Sequence, residues 1–192
     1  MRKIYSDSPE LIGEMSGASK TIKLINASRA YLDYIHEHIS NVNAAFAEVT
    51  MACKDLPSIA SDQMFPLLKE EVLNHDISKL SSEEFSQYRD AFYPAEGERK
   101  VKLADSAWAN HQEKNNHHWQ TIMSKPDTPI GIREMHLAHM VIDWTAMSYR
   151  FGGTAQSFYE QEMATGDKIK LSKDDVAFIY IVFNRLEKYN EA

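Results

Sequence analysis

From about Lys20 to Cys53 the apolar positions Ile25, Tyr31, Leu32, Ile35, Ile39, Val42, Ala45, Phe46 and Val49 recur at helical spacing with polar residues between them. That period predicts one long amphipathic helix. Asp55 and Pro57 break it, and a second helix is expected from Ser58 to His75, carrying Met64, Leu67, Leu68, Val72 and Leu73. Ser81 followed by Glu84 has the spacing of a capping box, so a third helix is expected through Phe85 and Tyr88 to Tyr93. Pro94, Glu96, Gly97 and Glu98 make a polar turn. Helix is expected again over Lys100 to Asn115, with Asn115 capping a short helix that carries His117, His118 and Trp119. After a loop from Ser124 to Pro129, Ile132 to Arg150 reads as helix and Gly152–Gly153 as its stop. Ser157 to Met163 and Lys173 to Lys188 complete the series, the last capped by Ser172 over Asp174 and Asp175. Ile169 to Leu171 is too short to found a sheet, and the pattern as a whole is all-α.

Composition narrows this picture. A chain of 192 residues with 43% hydrophobic content supports one core, so residues 1–192 read as a single domain. Within it, 1–19 form an N-terminal extension and 151–192 a C-terminal helical cap. The formal net charge of −7 argues against extended contact with a nucleic-acid backbone, which needs clustered Lys and Arg. A small nucleotide is compatible with it. Cys53 is the only cysteine, which excludes an internal disulfide and a cysteine-based zinc site. Metal ligation has to come from His, Asp and Glu. No apolar run approaches the roughly 18 residues of a bilayer span, and the N-terminus lacks the apolar stretch of a signal peptide. A cytoplasmic protein without a membrane partner is the expectation, and a homo-oligomer is left open.

The candidate chemistry lies in the eight histidines: His36, His38, His75, His111, His117, His118, His136 and His139. His75 is followed directly by Asp76, and consecutive side chains on a regular helix diverge by about 100°. Both reach one ion only near a helix end or across a bridged two-metal centre. Asp143 lies in the apolar stretch Met140 to Met147, where an unpaired carboxylate is costly to bury, so it needs a partner. His136, His139 and Asp143 share one helix face, and the two histidines read as exposed or supporting residues. Trp108, Trp119 and Trp144 read as core residues rather than stacking platforms.

The segment His75-Asp-Ile-Ser-Lys79 resembles the HD-x-[GS]-K motif of HD-superfamily phosphohydrolases. The blocks HDISKLSSEEFSQY (75–88), AWANHQEKNNHHW (107–119) and HMVIDW (139–144), with His38-Ile-Ser-Asn-Val42, resemble the DUF5662 family of bacteria and their phages over roughly residues 30 to 150. This chain has Asn116 where that family has Pro, and His139 where it has Glu. The resemblance implies a single HD-type helical domain with a metal site between central helices. Its ligand order, an early His, a His–Asp pair and a later Asp, falls on His38, His75, Asp76 and Asp143. His38 is preferred to His36 because the resemblance aligns it and Val42 follows one turn on. His111 and His117 would complete a second metal site, with His118 close behind and His139 as an alternate. Asp76 would bridge two ions and orient a nucleophile, and Lys79 would contact the phosphate, with His118 and Asn115 as further substrate-binding residues. Mixed His and carboxylate ligands suit one or two Mn, Fe, Zn, Ni or Co ions.

The function implied is metal-dependent hydrolysis of a small phosphate ester, a nucleotide monoester or a cyclic or other phosphodiester. Two other classes are carried beside it. An HD-type di-iron oxygenase would use the same ligands, and a non-catalytic binding module or phage accessory protein would keep the metal as a staple.

Overall fold

The computed structural model describes residues 9–164 and 169–191, with side chains from residue 19 to 163 and again from 169. Helix α1 runs Pro9–Ala52, longer than its apolar stripe, which begins to be buried only at Ala27. The part of the expected N-terminal extension before Pro9 lies outside the described residues, and the rest continues α1. After a turn come α2 (Pro57–Ala60) and α3 (Met64–Leu73), a 3-10 turn (Ile77–Leu80), α4 (Phe85–Phe92) and α5 (Asp105–Lys114). Then follow α6 (Trp119–Ser124), α7 (Ile130–Phe151), α8 (Ala155–Ala164) and α9 (Lys173–Asn190). No strand occurs among the described residues.

α7 is the central element. Every residue from Met135 to Ile142 is buried, and α1, α2, α3, α6, α8 and α9 all pack on it. Val42, Ala45 and Val49 of α1 meet Leu137, Val141 and Ile142 of α7 and Ile179, Val182 and Phe183 of α9 in one core. Each of these larger side chains contributes about 1.5–3 kcal/mol through burial. α9 also packs along α1, so the C-terminal stretch completes the core. A second cluster of Tyr31, Ile35, Tyr88 and Ala107, flanked by Tyr34, Phe85 and Tyr93, joins α4 and α5 to α1. His38 lies on α1 between the two clusters.

Three expectations are corrected. The helix expected over Ser58–His75 is split, because Ser61 turns extended and its Oγ accepts from Met64 N at 3.2 Å. It also ends early, at Leu73, where the Asn74 side chain donates to Glu70 O at 2.9 Å. The Ser81–Glu84 capping box does not form, since Glu84 is fully buried and turned toward α5. His117 and His118 are not helical; they sit in the turn before α6, so Asn115 ends α5 rather than starting a helix. The Ser172 cap is a full capping box with Asp175, and Gly152 and Gly153 end α7 with φ of 83° and 81°. Trp144 is a core residue as expected and Trp119 packs against the core, whereas Trp108 is 39% exposed.

Candidate metal centre

α3 ends two residues before the His–Asp pair, and Asp76 adopts the left-handed conformation, φ 57° and ψ 15°. It is the only non-glycine residue with positive φ among the described residues. Such a conformation costs about 1 kcal/mol or more, and Asp is among the side chains that tolerate it. The reversal of the backbone there resolves the divergence of adjacent side chains, because His75 and Asp76 now face the same point. Their atoms His75 Nε2 and Asp76 Oδ2 are 3.4 Å apart.

Two further elements reach that point. His38 Nε2, from α1, lies 3.0 Å from His75 Nε2 and 3.4 Å from Asp76 Oδ2. Asp143 Oδ1, from α7, lies 3.3 Å from His38 Nε2 and 3.6 Å from His75 Nε2. An ion bound at about 2.0–2.2 Å holds neighbouring tetrahedral or octahedral ligands about 2.8–3.6 Å apart. All five separations fall in that window, so these four side chains fit a cation of that size.

The other oxygen of Asp76 faces a second donor set. His111 Nε2 is 3.3 Å and His117 Nε2 3.7 Å from Asp76 Oδ1, and His118 belongs to the same group, whose donor atoms lie within 4.8 Å of one another. Asp76 Oδ1, His117 Nε2 and His118 Nε2 are buried without a hydrogen-bond partner. Buried polar atoms are rarely left so, and each costs about 1–3 kcal/mol. Asp76 thus has the geometry of a bridging carboxylate.

Protonation, assigned from the hydrogen-bond network, sharpens the fit. Glu84 Oε2 lies 2.9 Å from His111 Nδ1 and Oε1 accepts from Asn110 at 2.7 Å. A neutral His111 therefore carries its proton on Nδ1 and turns the bare Nε2 lone pair toward Asp76. His75 is set by a longer chain: Glu71 Oε2 lies 3.4 Å from His139 Nδ1, and His139 Nε2 lies 3.0 Å from His75 Nδ1. His139 then accepts from His75 Nδ1–H, which leaves His75 Nε2 bare. Lone pairs aimed at carboxylate oxygens repel unless a cation lies between them. The charge count agrees, since Asp76, Asp143, Glu71 and Glu84 face the single ammonium of Lys79. With every imidazole neutral that leaves an excess of three negative charges, and with His38 protonated an excess of two.

The electrostatics follow. Burial disfavours ionised Glu71, but hydrogen bonds from His136 and His139 outweigh it and hold its carboxyl well below the usual range. Asp143 is held low in the same way, chiefly by His38 against the cost of burial. Burial and the neighbouring His75 keep His117 neutral, and burial with His111 beside it pushes His118 down to about 4. Burial also opposes charge on His38, yet Asp143 and Asp76 push it up to about 9. A proton and a metal ion compete for that lone pair.

The structure brings together His38, His75, Asp76, Asp143, Lys79, His111, His117, His118 and the alternate His139. His36 is exposed on α1 and takes no part. Lys79 Nζ lies 2.5 Å from Asp76 Oδ2 and stacks over the Tyr88 ring at 5.7 Å. Asn115, expected to touch substrate, is buried with its amide donating to His111 O at 2.7 Å and Ser78 Oγ at 2.9 Å, so it holds the turn. His136 and His139, expected as exposed or supporting, are buried, and both contact Glu71. Glu71 and Glu84 were not among the sequence candidates. Glu84 was hidden by its capping-box spacing, and Glu71 by the polar run Lys69-Glu-Glu71.

With this geometry in hand, comparison with known families is decisive at one level. A family of unknown function, DUF5662, matches residues 27–185. The chain belongs to the DUF5662 family. The match includes α8 and most of α9, beyond the blocks at 38–144 that carry the resemblance in sequence. No curated protein and no solved structure matches the chain. No helix of the described residues is long and apolar enough to cross a membrane.

Proposed function

We propose that this DUF5662 protein is an HD-type metal-dependent phosphohydrolase acting on a nucleotide or another small phosphate ester. The observation that carries the reading is Asp76, whose two oxygens each face a separate set of histidine donors in the order His38, His75–Asp76, Asp143. One or two Mn, Fe, Zn, Ni or Co ions held there would supply Lewis-acid polarisation of the phosphoryl oxygens and lower the pKa of a bound water to about 7.

The chain's own residues do the rest. Hydrolysis forms a bond from a hydroxide oxygen to phosphorus and breaks the ester P–O bond, and the leaving oxygen takes up, through solvent, the proton that water gave up in becoming hydroxide. Lys79 offers its ammonium to the anionic phosphoryl oxygens as a point charge, a role that fits its place against Asp76. Asp76 orients the nucleophile, and its fixed left-handed backbone keeps the carboxylate from turning away. Glu84 and the Glu71–His139 pair hold His111 and His75 in the tautomers that present Nε2.

The test is hydrolysis of a panel of nucleoside monophosphates, cyclic nucleotides and sugar phosphates, read as phosphate release from the monoesters and as ring opening to the monophosphate for the cyclic nucleotides, with the stripped protein reloaded separately with Mn, Fe, Co, Ni or Zn. Metal-dependent hydrolysis that is lost in Asp76→Asn is expected. A protein that holds metal and hydrolyses none of the panel contradicts the reading. Iron content with oxygen consumption would instead mark an oxygenase on the same ligands, and unfolding on metal removal without any turnover a structural staple.

A further inference from the structure

Two adjoining cavities of about 310 and 420 Å³ open beside the metal centre, and both are lined by Trp108, His118, Asp143, Trp144 and Phe158. Asp143 and His118 belong to the donor cluster, so the cavities reach the reacting point from its open edge, where the Asp143 side chain keeps 18% of its surface accessible. Together they have the size of a small-molecule site. Away from the centre their walls are aromatic. Trp108 from α5 is 39% exposed, Phe158 from α8 is 42% exposed, and Phe151 at the end of α7 is 68% exposed. Trp108 is held in place by ring contacts with His111 and His118, at 5.8 and 5.3 Å between centroids, and Phe158 by Trp144 at 5.6 Å. Such rings keep an apolar face toward solvent at a cost, and grouped at a cleft they mark a binding surface.

Charge decides what that surface takes. No lysine or arginine lines either cavity among the described residues, and the ionisable side chains besides the neutral histidines are Asp143 and Glu162. A polyphosphate tail would find no lysine or arginine among the described residues that line them to offset its charge. An uncharged ring meets aromatic faces.

We propose that the cleft binds an uncharged aromatic group, a nucleobase or aryl ring, joined to a single phosphoryl group at the metal centre, with the ring against Trp108 and Phe158. The proposal rests on the phosphohydrolase reading and narrows its substrate class. It excludes nucleoside triphosphates and sugar phosphates without a base as preferred substrates.

The experiment uses metal-loaded full-length protein and the probes AMP, 3′,5′-cyclic AMP, ribose 5-phosphate and ATP. AMP or cyclic AMP is expected to exceed ribose 5-phosphate and ATP in kcat/KM by about tenfold or more, the range that ring stacking of about 1–3 kcal/mol supplies. In Trp108→Ala and in Phe158→Ala that preference falls by about tenfold. Tryptophan emission gives a reading independent of turnover: AMP quenches it and ribose 5-phosphate does not, and in Phe158→Ala, which keeps every tryptophan, the half-saturating AMP concentration rises about tenfold. Equal kcat/KM for AMP and ribose 5-phosphate, a preference for ATP, or a quench unchanged in Phe158→Ala each overturns the proposal. Quenching by AMP without hydrolysis of any probe sinks the hydrolase reading and leaves the cleft assignment standing.

Discussion

At the scale of the residue the account turns on Asp76, whose backbone conformation and two oxygens create the centre. Asn tolerates the same left-handed conformation and has nearly the same volume. Asp76→Asn therefore removes charge without forcing the turn to refold, and metal affinity measured by calorimetric titration is expected to fall by more than about 100-fold. Glu84→Gln acts one hydrogen bond further out, on the tautomer of His111, and Glu71→Gln two, through His139 on that of His75; each should weaken metal affinity by about 10–100-fold. His36→Ala, two residues from His38 but exposed, should leave it unchanged, and a comparable loss there would contradict the placement of the ligands. The residues that converge at the candidate centre were largely legible in sequence: an adjacent His–Asp pair needs a helix end to face one point, and Asp143 in an apolar run needs a partner. Glu71 and Glu84 were not legible, because a carboxylate in a charged run and one at capping spacing look solvated until the fold turns them inward. The aromatic cleft was hidden for a related reason. Periodicity assigns Trp108 and Phe158 to helices but does not reveal that their helices leave those rings at the edge of the core.

At the scale of the element, α7 carries His136, His139 and Asp143 and is anchored at its start. Arg133 donates to Asp175 through Nε and Nη2, both at 2.6 Å, and Asp175 also closes the capping box of α9. The pair ties the first turn of α7 to that of α9, with Asp175 3% and Arg133 12% exposed. Arg133→Ala leaves a buried carboxylate without its partner and is expected to cost about 3–5 kcal/mol in denaturant unfolding. Burial opposes ionised Asp175, but Arg133 and Ser172 outweigh it and lower its pKa. A carboxyl lowered on folding contributes stability above its unfolded pKa of about 3.9, and that contribution is lost as pH falls through the lower folded value. The stability gap between wild type and Arg133→Ala should therefore hold at neutral pH and shrink below about pH 4; a gap that widens with acid would contradict it. Helix order and the stop at Gly152–Gly153 followed from hydrophobic period and backbone preference. The break at Ser61 and the early end at Asn74 did not, since both depend on single side chains bonding to nearby backbone groups, which competes with helix at a scale the apolar pattern does not record.

At the scale of the whole molecule, the centre joins α1, the turns after α3 and α5, and α7, with the two hydrophobic clusters on either side of it. A cation there links elements far apart in sequence, so its binding should add to folding stability. At a free concentration 100 times its Kd the gain is about 2.7 kcal/mol. For a chain of this length that raises Tm by about 5–10 °C. Chelation should lower Tm by a like amount in wild type and by little in Asp76→Asn. The most direct test of the central claim is elemental analysis of the purified wild type beside Asp76→Asn, followed by titration of each with Mn, Fe, Co, Ni and Zn. The account predicts about one to two tightly held transition-metal ions in the wild type and a small fraction of that in the variant. A folded wild type that neither carries nor binds any of these ions, or a variant that binds them as tightly, would contradict it.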